Sequence, residues 1–212
     1  MSLSWMVPGP RRSTPTGLLA AGLAGCLLAG CAATDSGEAI ADPSAAAGSS
    51  AAASAGRDAT YRVTCDGIVP DGFPATLTGG AAWVPADGSR PPYYDHYEIR
   101  LEAVARGDVD GDGEPDTVVL LQCSPQPSNG ILEEVQVFAA SGERLGLLPS
   151  PLTLREATIL PPLYDPAGPS VQDGDIVAAM KAYAPEDSHA SGPSIPITVR
   201  WHWNGREFVR VS

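Results

Sequence analysis

The sequence predicts a mainly β fold, a single compact domain of antiparallel strands and hairpins that follows a disordered N-terminal tether. Short apolar runs with a period of two lie between turns rich in proline and glycine, of which the chain has 21 and 23. Such runs and turns are typical of strands joined by tight connections. An Asn-Gly pair between two strand-like runs near the C-terminus adds a strong hairpin signal. No internal repeat in the sequence indicates a solenoid or a full propeller.

The composition excludes some classes of partner. The chain has 212 residues, 43% hydrophobic and 18% charged, with a formal net charge of −12. Non-specific nucleic-acid binding needs clustered Lys and Arg, so nucleic acid is not an expected partner. The same charge repels anionic lipid, so membrane attachment would have to be covalent or apolar.

The first element, residues 1–30, has the layout of a secretory signal peptide. Arg11 and Arg12 form a positive start, and an uncharged apolar run begins at Gly17 and ends in small residues. This order of charge, apolar run and small residues is the export pattern. The run is too short and too rich in glycine for a membrane span, which needs about 20 apolar residues.

The run closes on the sequence Leu-Ala-Gly-Cys at residues 28–31, which resembles the lipobox of bacterial lipoproteins. The resemblance implies that Cys31 is lipidated, becomes the mature N-terminus and holds the protein at the extracytoplasmic face of the cell membrane. Residues 23–26 satisfy the same pattern, which leaves Cys26 as the alternative. Cys31 is preferred because cleavage there gives a fuller apolar region and because the residues after it turn polar at once.

Residues 31–59 are predicted to be a tether, and residues 60–212 the folded domain. Ala, Ser and Gly dominate the segment before residue 60, which has no aromatic residue. Such a segment cannot bury enough apolar area to offset the entropy lost on ordering. The remaining 153 residues, 60 to 212 inclusive, suit one domain.

Several strands can be placed within this domain. Residues 117–123 are almost continuously apolar and predict a buried central strand, and residues 131–138 predict another. Residues 175–184 fit a strand or a short helix, and the preceding pair Asp173-Gly174 favours a hairpin turn. An alternating run before residue 107 predicts a strand with one polar face. Its apolar face would carry Tyr97, Ile99, Leu101, Ala103 and Ala105.

The last strand pair spans residues 196–211, with the turn at Asn204-Gly205. A two-residue turn there predicts three cross-strand pairs: Trp203 with Arg206, His202 with Glu207, and Trp201 with Phe208. One face would then carry Val199, Trp201, Trp203 and Phe208. We expect Trp201 and Phe208 to be core, with Trp203 partly covered by Arg206 at the rim, because large aromatics mainly supply packing area. An aromatic ligand platform is the alternative.

The domain contains two cysteines, Cys65 and Cys123. Exported thiols tend to pair, so a disulfide is predicted between the N-terminal strand of the domain and the strand that follows an acidic loop. Two free buried thiols, or a catalytic pair with His96, His189 or His202, are the alternatives. No protease signature surrounds either cysteine.

The acidic loop reads GDVDGDGEPDTVV over residues 107–119. Aspartates occupy the first, third, fifth and ninth positions counted from Asp108, with a glycine at the sixth, and alternate side chains of a tightly wrapped loop can converge on one hard cation. The twelfth position is Val119 instead of the bidentate Glu of an EF-hand, so the loop is not an EF-hand. Asp and Gly are also ordinary turn residues. However, so many neighbouring carboxylates repel one another unless a cation neutralises them.

The DxDxDGxxD pattern resembles the calcium loop of FG-GAP and VCBS-type β repeats. The resemblance implies a structural Ca²⁺ held by side chains of Asp108, Asp110, Asp112 and Asp116 and by the main-chain carbonyl of Glu114. The pattern occurs once here, whereas those families repeat it in every blade. The wider context, YEIRLEAVARGDVDGDGEPDTVVLLQC with the later VQVF and WHWNGREFV, is similar to small exported lipoproteins of actinobacteria, whose function is largely uncharacterised. That similarity implies location and architecture and gives no activity.

The sequence favours a protein that is not an enzyme. It has no G-x-S-x-G, no H-E-x-x-H and no P-loop. Glu133 and Glu134 are adjacent on a predicted strand, so they would point to opposite faces and could not share a substrate.

Three hypotheses follow for the role of the domain. The first is a calcium-stabilised β domain that binds an envelope protein or a glycan. The second is an envelope-directed hydrolase that uses acidic residues outside the loop. The third is an accessory subunit with a purely structural role. A flat aromatic patch near Trp83 or Trp203 would favour the first hypothesis, and a pocket with two convergent carboxylates would favour the second.

Overall fold

The computed structural model describes residues 56–89, 91, 93–155 and 158–212. The predicted signal peptide, both candidate lipidation sites (Cys26 and Cys31) and the tether up to residue 55 lie outside the described residues. Residues 56–59 of the predicted tether do bond to the fold: the amide of Gly80 donates to the carbonyl of Arg57, and that of Leu77 donates to the carbonyl of Ala59. Among the described residues, no helix is long and apolar enough to cross a membrane.

The described chain is built from antiparallel strands, which confirms the predicted fold class. Its elements are β1 Thr60–Val63, β2 Phe73–Thr76, β3 Ala81–Pro85, β4 His96–Gly107, β5 Asp116–Gln126, β6 Leu132–Phe138, β7 Arg144–Leu147, a 3-10 turn Pro151–Leu154, β8 Leu163–Gln172, β9 Asp175–Ala182, β10 Ile195–Trp203 and β11 Phe208–Arg210. They form three sheets: a hairpin β1-β2, a four-stranded sheet β11-β10-β9-β8, and a five-stranded sheet β3-β4-β5-β6-β7.

The five-stranded sheet forms the middle of three layers, and β5 runs through its centre. Val118 and Leu120 of β5 belong to an apolar cluster shared with the four-stranded sheet. Val119 and Leu121 face the other way, into a cluster shared with the β1-β2 hairpin. The predicted buried central strand is therefore confirmed. Burying one such Val or Leu side chain stabilises the fold by about 1.5–3 kcal/mol, so β5 contributes to both interfaces.

The structure corrects the single apolar face predicted for β4. A bulge shifts the register with β5 between Leu101 and Ala103, which leaves Glu102 as the extra residue. Before the bulge, Ile99 and Leu101 face the hairpin cluster, whereas Ala103 and Ala105 beyond it pack on the four-stranded sheet. A bulge inserts one residue and so exchanges the two faces of the strand from that point on. β4 therefore supplies both clusters in turn.

The segment that could have been a strand or a short helix is the strand β9. Its turn with β8 consists of Asp173 and Gly174, because Gln172 pairs with Asp175. Both turn residues have positive φ, 53° and 81°. Such a turn matches the twist of the flanking strands, and Asp and Gly both tolerate that conformation. The hairpin predicted from Asp173-Gly174 is confirmed.

The C-terminal hairpin has the predicted faces but a different register. Trp203 lies opposite Phe208, their rings 4.8 Å apart, and Trp201 lies opposite Arg210. The turn closes between Asn204 and Glu207, because the Asn204 side-chain oxygen accepts bonds from the amides of Arg206 and Glu207, each 3.0 Å long. The three predicted pairings were therefore wrong. Each residue of β10 pairs with a residue two positions further along β11 than predicted, and a shift of two residues leaves every side chain on the same face of the sheet. Trp201 is wholly buried, which confirms that it is a core residue.

Candidate functional site

The acidic loop joins β4 to β5, and Gly107 pairs with Asp116 at its base. Its aspartates hold the loop closed by accepting amide hydrogen bonds. The two carboxylate oxygens of Asp108 accept from Gly111 at 2.7 Å and from Gly113 at 3.0 Å. Both glycines have φ near +90°, a backbone conformation that L residues rarely adopt, so this wrapping requires glycine.

Three carboxylates of the loop converge on one point. One oxygen from each of Asp108, Asp110 and Asp116 lies within 4.8 Å of the other two. Asp108 and Asp110 are partly exposed, whereas Asp116 is completely buried. Such a set of hard oxygen donors is the kind that Ca²⁺ and Mg²⁺ use.

Asp116 has one bonded oxygen and one that lacks a partner. Its Oδ2 accepts the amides of Val109 at 2.8 Å and of Asp110 at 3.3 Å. Its Oδ1 is buried and has no hydrogen-bond partner among the described residues. Burial raises the pKa of Asp116 and the charge of Asp110 raises it further, while the amide of Val109 lowers it. A cation beside Oδ1 would satisfy that oxygen and favour the charged form.

The loop does not bring all of the predicted ligands together. Asp112 stands outside the converging group and is exposed, and its Oδ1 accepts the amide of Glu114 at 2.7 Å. That bond holds the turn. Glu114 is exposed as well. The structure thus assembles three of the four aspartates that the spacing indicated.

An open groove runs beside the acidic loop. One wall is the loop itself, with Asp108 and Asp110, and the other comes from the four-stranded sheet, with Asp173, His202 and Trp203. His202 is anchored through Nδ1, which lies 2.8 Å from Oδ1 of Asp175 on the neighbouring strand. Hydrogen bonds from Arg200 and then from His202 lower the pKa of Asp175.

A second acidic site lies at the edge of the five-stranded sheet. β7 pairs with β6 only over Gln136–Phe138, so the first half of β6 has no paired strand there in the described chain. A cavity of about 270 Å³ wraps around this edge. Six of its lining residues carry polar side chains: Thr64, Asp66, Glu133, Glu134, Ser150 and Tyr164.

Glu133 and Glu134 face opposite sides of β6, as predicted. Glu134 bonds to Thr64 of the hairpin layer, whereas Oε2 of Glu133 accepts the amide of Tyr164 of the four-stranded sheet at 2.9 Å. Both glutamates nevertheless line one cavity. An open strand edge lets a single cavity reach both faces of the sheet, which a strand inside the sheet would not allow.

Glu134 is almost fully buried and completely hydrogen-bonded. Its Oε2 accepts the amide and the hydroxyl of Thr64, at 3.0 and 2.6 Å, and its Oε1 accepts the side-chain amide of Gln136 at 2.7 Å. The same amide of Gln136 donates to the carbonyl of Arg62 in β1. These bonds fasten the hairpin layer to β6, so Glu134 has a structural role.

Two carboxyls of the cavity, Glu133 and Asp66, have raised pKa values. Burial raises the pKa of Glu133 to about 7, the amide of Tyr164 opposes this, and the charge of Glu102 adds to it. Burial also raises the pKa of Asp66, a hydrogen bond with Ser150 lowers it, and the charge of Glu134 raises it. The sequence did not single out Asp66, because only the fold brings it to β6.

An aromatic patch is exposed on β3 and β4. Trp83 is 61% exposed and stacks on His96, with ring centroids 4.8 Å apart and an angle of 29° between the rings. Nε2 of His96 lies 3.8 Å from the carboxylate of Glu98. A large exposed aromatic of this kind is common in surfaces that bind partners.

Cys65 and Cys123 form the predicted disulfide, with their Cα atoms 5.3 Å apart. Both residues are wholly buried in the cluster between the hairpin and the five-stranded sheet. The bond ties the segment after β1 to β5, as predicted. It also removes the alternative of a catalytic Cys–His pair, because neither sulfur is a free thiol.

The fold and the loop together define a three-layered β domain with a candidate cation site on one of its hairpins. No family model, curated protein or solved structure matches the chain. The chemistry of these sites is therefore the guide to the function of the domain.

Proposed function

We propose that the protein is a membrane-anchored extracytoplasmic lipoprotein whose calcium-stabilised β domain acts as a binding or accessory module in the cell envelope. The observation that carries this proposal is the buried Oδ1 of Asp116, which has no partner in the described chain and belongs to a carboxylate that converges with Asp108 and Asp110. A buried charge without compensation costs several kcal/mol, and a cation bound by all three carboxylates would remove that cost.

Calcium is the cation that suits this loop best. All of the converging groups are carboxylates, which are hard oxygen donors. Ca²⁺ accepts irregular geometry with six to eight oxygens, whereas Mg²⁺ demands a near-ideal octahedron. Asp108 and Asp116 also reach the site from opposite ends of a wrapped loop, which favours the larger and more adaptable ion.

The envelope location is supported by the N-terminal signals and by the disulfide. Residues 1–30 have the layout of an export signal that ends at Cys31. The bond between Cys65 and Cys123 fits an oxidising compartment outside the cytoplasm. The exposed stack of Trp83 on His96 favours a binding role over a purely accessory one.

The cation is tested by thermal unfolding of the full chain in calcium and in chelator. We expect calcium to raise the melting temperature and Asp110→Ala to abolish the increase, because one of three convergent ligands is lost. Glu186→Ala is the matched control, since it removes an exposed carboxylate outside the loop and should keep the increase. Identical melting curves of the wild-type chain in calcium and in chelator would contradict calcium binding.

The anchor is tested by fractionation of cells that express the full chain. Cys31→Ala should release the protein from membranes, because the acylated thiol is the proposed attachment. Cys26→Ala is the matched control and should leave the protein membrane-bound. The opposite pattern would place the lipid on Cys26.

A hydrolase is the second candidate, and the cavity at the β6 edge favours it. Asp66 and Glu133 line that cavity together, and the pKa of Glu133 is raised to about 7. A carboxyl of this kind suits proton donation near neutral pH, and a second carboxyl could activate water. Incubation with purified cell-wall polysaccharide tests the idea through the release of reducing ends. Glu133→Gln should remove the activity, and Glu186→Gln should not; no release by the wild-type chain rejects this candidate.

A further inference from the structure

The candidate cation site is incomplete when only its side chains are counted. Asp108, Asp110 and Asp116 converge, whereas Asp112 stands apart and binds the amide of Glu114. Ca²⁺ takes six to eight oxygens, so three carboxylates leave coordination positions for other donors. The buried and unpartnered Oδ1 of Asp116 is the independent sign that something has to bind at this point.

The exposed side of the site opens into the groove. Asp108 and Asp110 belong both to the converging group and to the groove wall. Asp116 approaches from the buried side, since it is wholly inaccessible to solvent. A cation held by the three would therefore be fixed from the protein side and open towards the groove.

The opposite wall of the groove offers an aromatic face and polar groups. Trp203 and His202 line it at the end of β10, together with Asp173 of the β8-β9 turn. Trp203 is partly exposed, and the ring of its cross-strand neighbour Phe208 lies beside it, 4.8 Å away at an angle of 46°. An indole held in this way packs well against the C–H face of a sugar ring, and His202 and Asp173 can hydrogen-bond its hydroxyls.

Charge selects the class of ligand. Three carboxylates bring a charge of −3 to a cation of +2, so an anionic ligand would add repulsion at the metal. Neutral vicinal hydroxyls supply two hard oxygens without charge. We propose that the groove between the acidic loop and the end of β10 binds a neutral saccharide, two of whose hydroxyls complete the coordination of the loop cation while its ring packs on Trp203.

This proposal rests on the proposed cation site, and the two can fail separately. Binding is measured on the full chain by saturation-transfer NMR with methyl glycosides of mannose, galactose, glucose and arabinose, in 5 mM calcium and in chelator. These concentrations suit a site whose Kd for Ca²⁺ is about 10⁻⁴–10⁻³ M, as in extracellular modules. At least one glycoside should bind in calcium and be lost in chelator. Methyl glucuronide, the anionic control, should bind about tenfold more weakly, as charge repulsion at the metal requires.

Variants then test the location. His202→Ala and Trp203→Leu should each weaken saccharide binding about tenfold, since each removes a stacked or hydrogen-bonded contact. Both should keep the calcium-dependent rise in melting temperature, because neither belongs to the converging carboxylates. Trp83→Ala should bind as the wild type does, since Trp83 does not line the groove.

The outcomes separate the two proposals. A calcium-dependent melting shift without glycoside binding overturns the saccharide groove and leaves the cation site in place. Binding that survives in chelator, or that Trp83→Ala removes while His202→Ala does not, also overturns the groove. Preferred binding of methyl glucuronide would show that the ligand class is wrong. The absence of any melting shift overturns the cation site itself.

Discussion

Two buried carboxylates of this protein, Glu134 and Asp116, have opposite surroundings. Glu134 is 6% exposed and receives hydrogen bonds on both of its oxygens from Thr64 and Gln136. Asp116 is 0% exposed and is bonded on Oδ2 only. The protein satisfies one buried charge completely with its own groups and leaves the other half-satisfied. A fully bonded carboxylate indicates structure, whereas a half-bonded one indicates a missing partner.

Glu133 differs from both of these carboxylates, since it is only partly buried. One of its oxygens accepts a single bond, from the amide of Tyr164, and it lines a cavity. Burial raises its pKa to about 7, and the single bond from Tyr164 opposes that rise only in part. The three carboxylates therefore differ in how their charges are satisfied, and each can be tested by removing its charge.

The largest effect is expected at Glu134. Glu134→Leu should lower the free energy of unfolding by about 4 kcal/mol, because it strands the buried amide of Thr64 and the side chain of Gln136. The loss should be the same in calcium and in chelator. Urea unfolding measures it, and Glu134→Gln should lose about half as much, since one accepting oxygen remains. A loss of stability that depends on calcium would contradict the purely structural role of Glu134 and give it the same behaviour as Asp116.

The next effect is a pH dependence from Glu133. Its folded pKa is raised above the ordinary value, so its stabilising contribution is present below about pH 4.5 and is lost as pH rises through about 7. Between pH 5 and pH 8 this change amounts to about 2.5 kcal/mol. Urea unfolding at both pH values should show the difference between wild type and Glu133→Gln. Parallel pH profiles of the two proteins would contradict the raised pKa.

Substitution of Asp116, unlike that of Glu134, should lower the stability only when calcium is present. In 10 mM calcium, Asp116→Asn should lower the free energy of unfolding by about 2 kcal/mol, because the bound cation stabilises only the wild type. In chelator the same variant should be neutral or more stable, since it removes a buried charge next to Asp110. Chemical unfolding in the two buffers measures both values. A loss of equal size in both buffers would make Asp116 a second structural carboxylate.

The smallest effect should come from Asp112→Ala. Asp112 stands outside the converging group and only accepts the amide of Glu114, so less than about 0.5 kcal/mol of the calcium-dependent stabilisation should disappear. Calorimetric titration with calcium gives the comparison with Asp110→Ala. Equal losses in the two variants would restore the four-aspartate site that the DxDxDGxxD spacing implies.

Much of the fold could be predicted because it depends on local patterns. The apolar run of β5, the Asp173-Gly174 turn and the Cys65–Cys123 pair all carry their signal within a few residues or in their chemistry. The register of the last hairpin could not be predicted, since the Asn204 side chain competes for two backbone amides and moves the turn by one residue. An Asn-Gly pair alone does not show which residue closes the turn.

The acidic loop and the cavity at β6 also differ in how far the sequence predicts them. The acidic loop could be found because its residues are consecutive, although the direction of Asp112 depends on a local bond that spacing does not show. The cavity at β6 could not be found, since it joins Asp66, Glu133 and Tyr164 from three distant parts of the chain. It also depends on β7 ending early and leaving an edge of β6 open, which no local pattern indicates.

The bulge at Glu102 affects which deletions β4 can tolerate during evolution. Glu102 has no partner in the register of β4 with β5, so its removal would leave a regular strand in which Ala103 and Ala105 still pack on the four-stranded sheet. Removal of Ala103 with the bulge kept would have the opposite result. Val104 would take the place of Ala103 against Gly168, where there is room only for a small neighbour, and Ala105 would turn towards the hairpin layer. We expect β4 to tolerate the loss of Glu102 far better than the loss of Ala103.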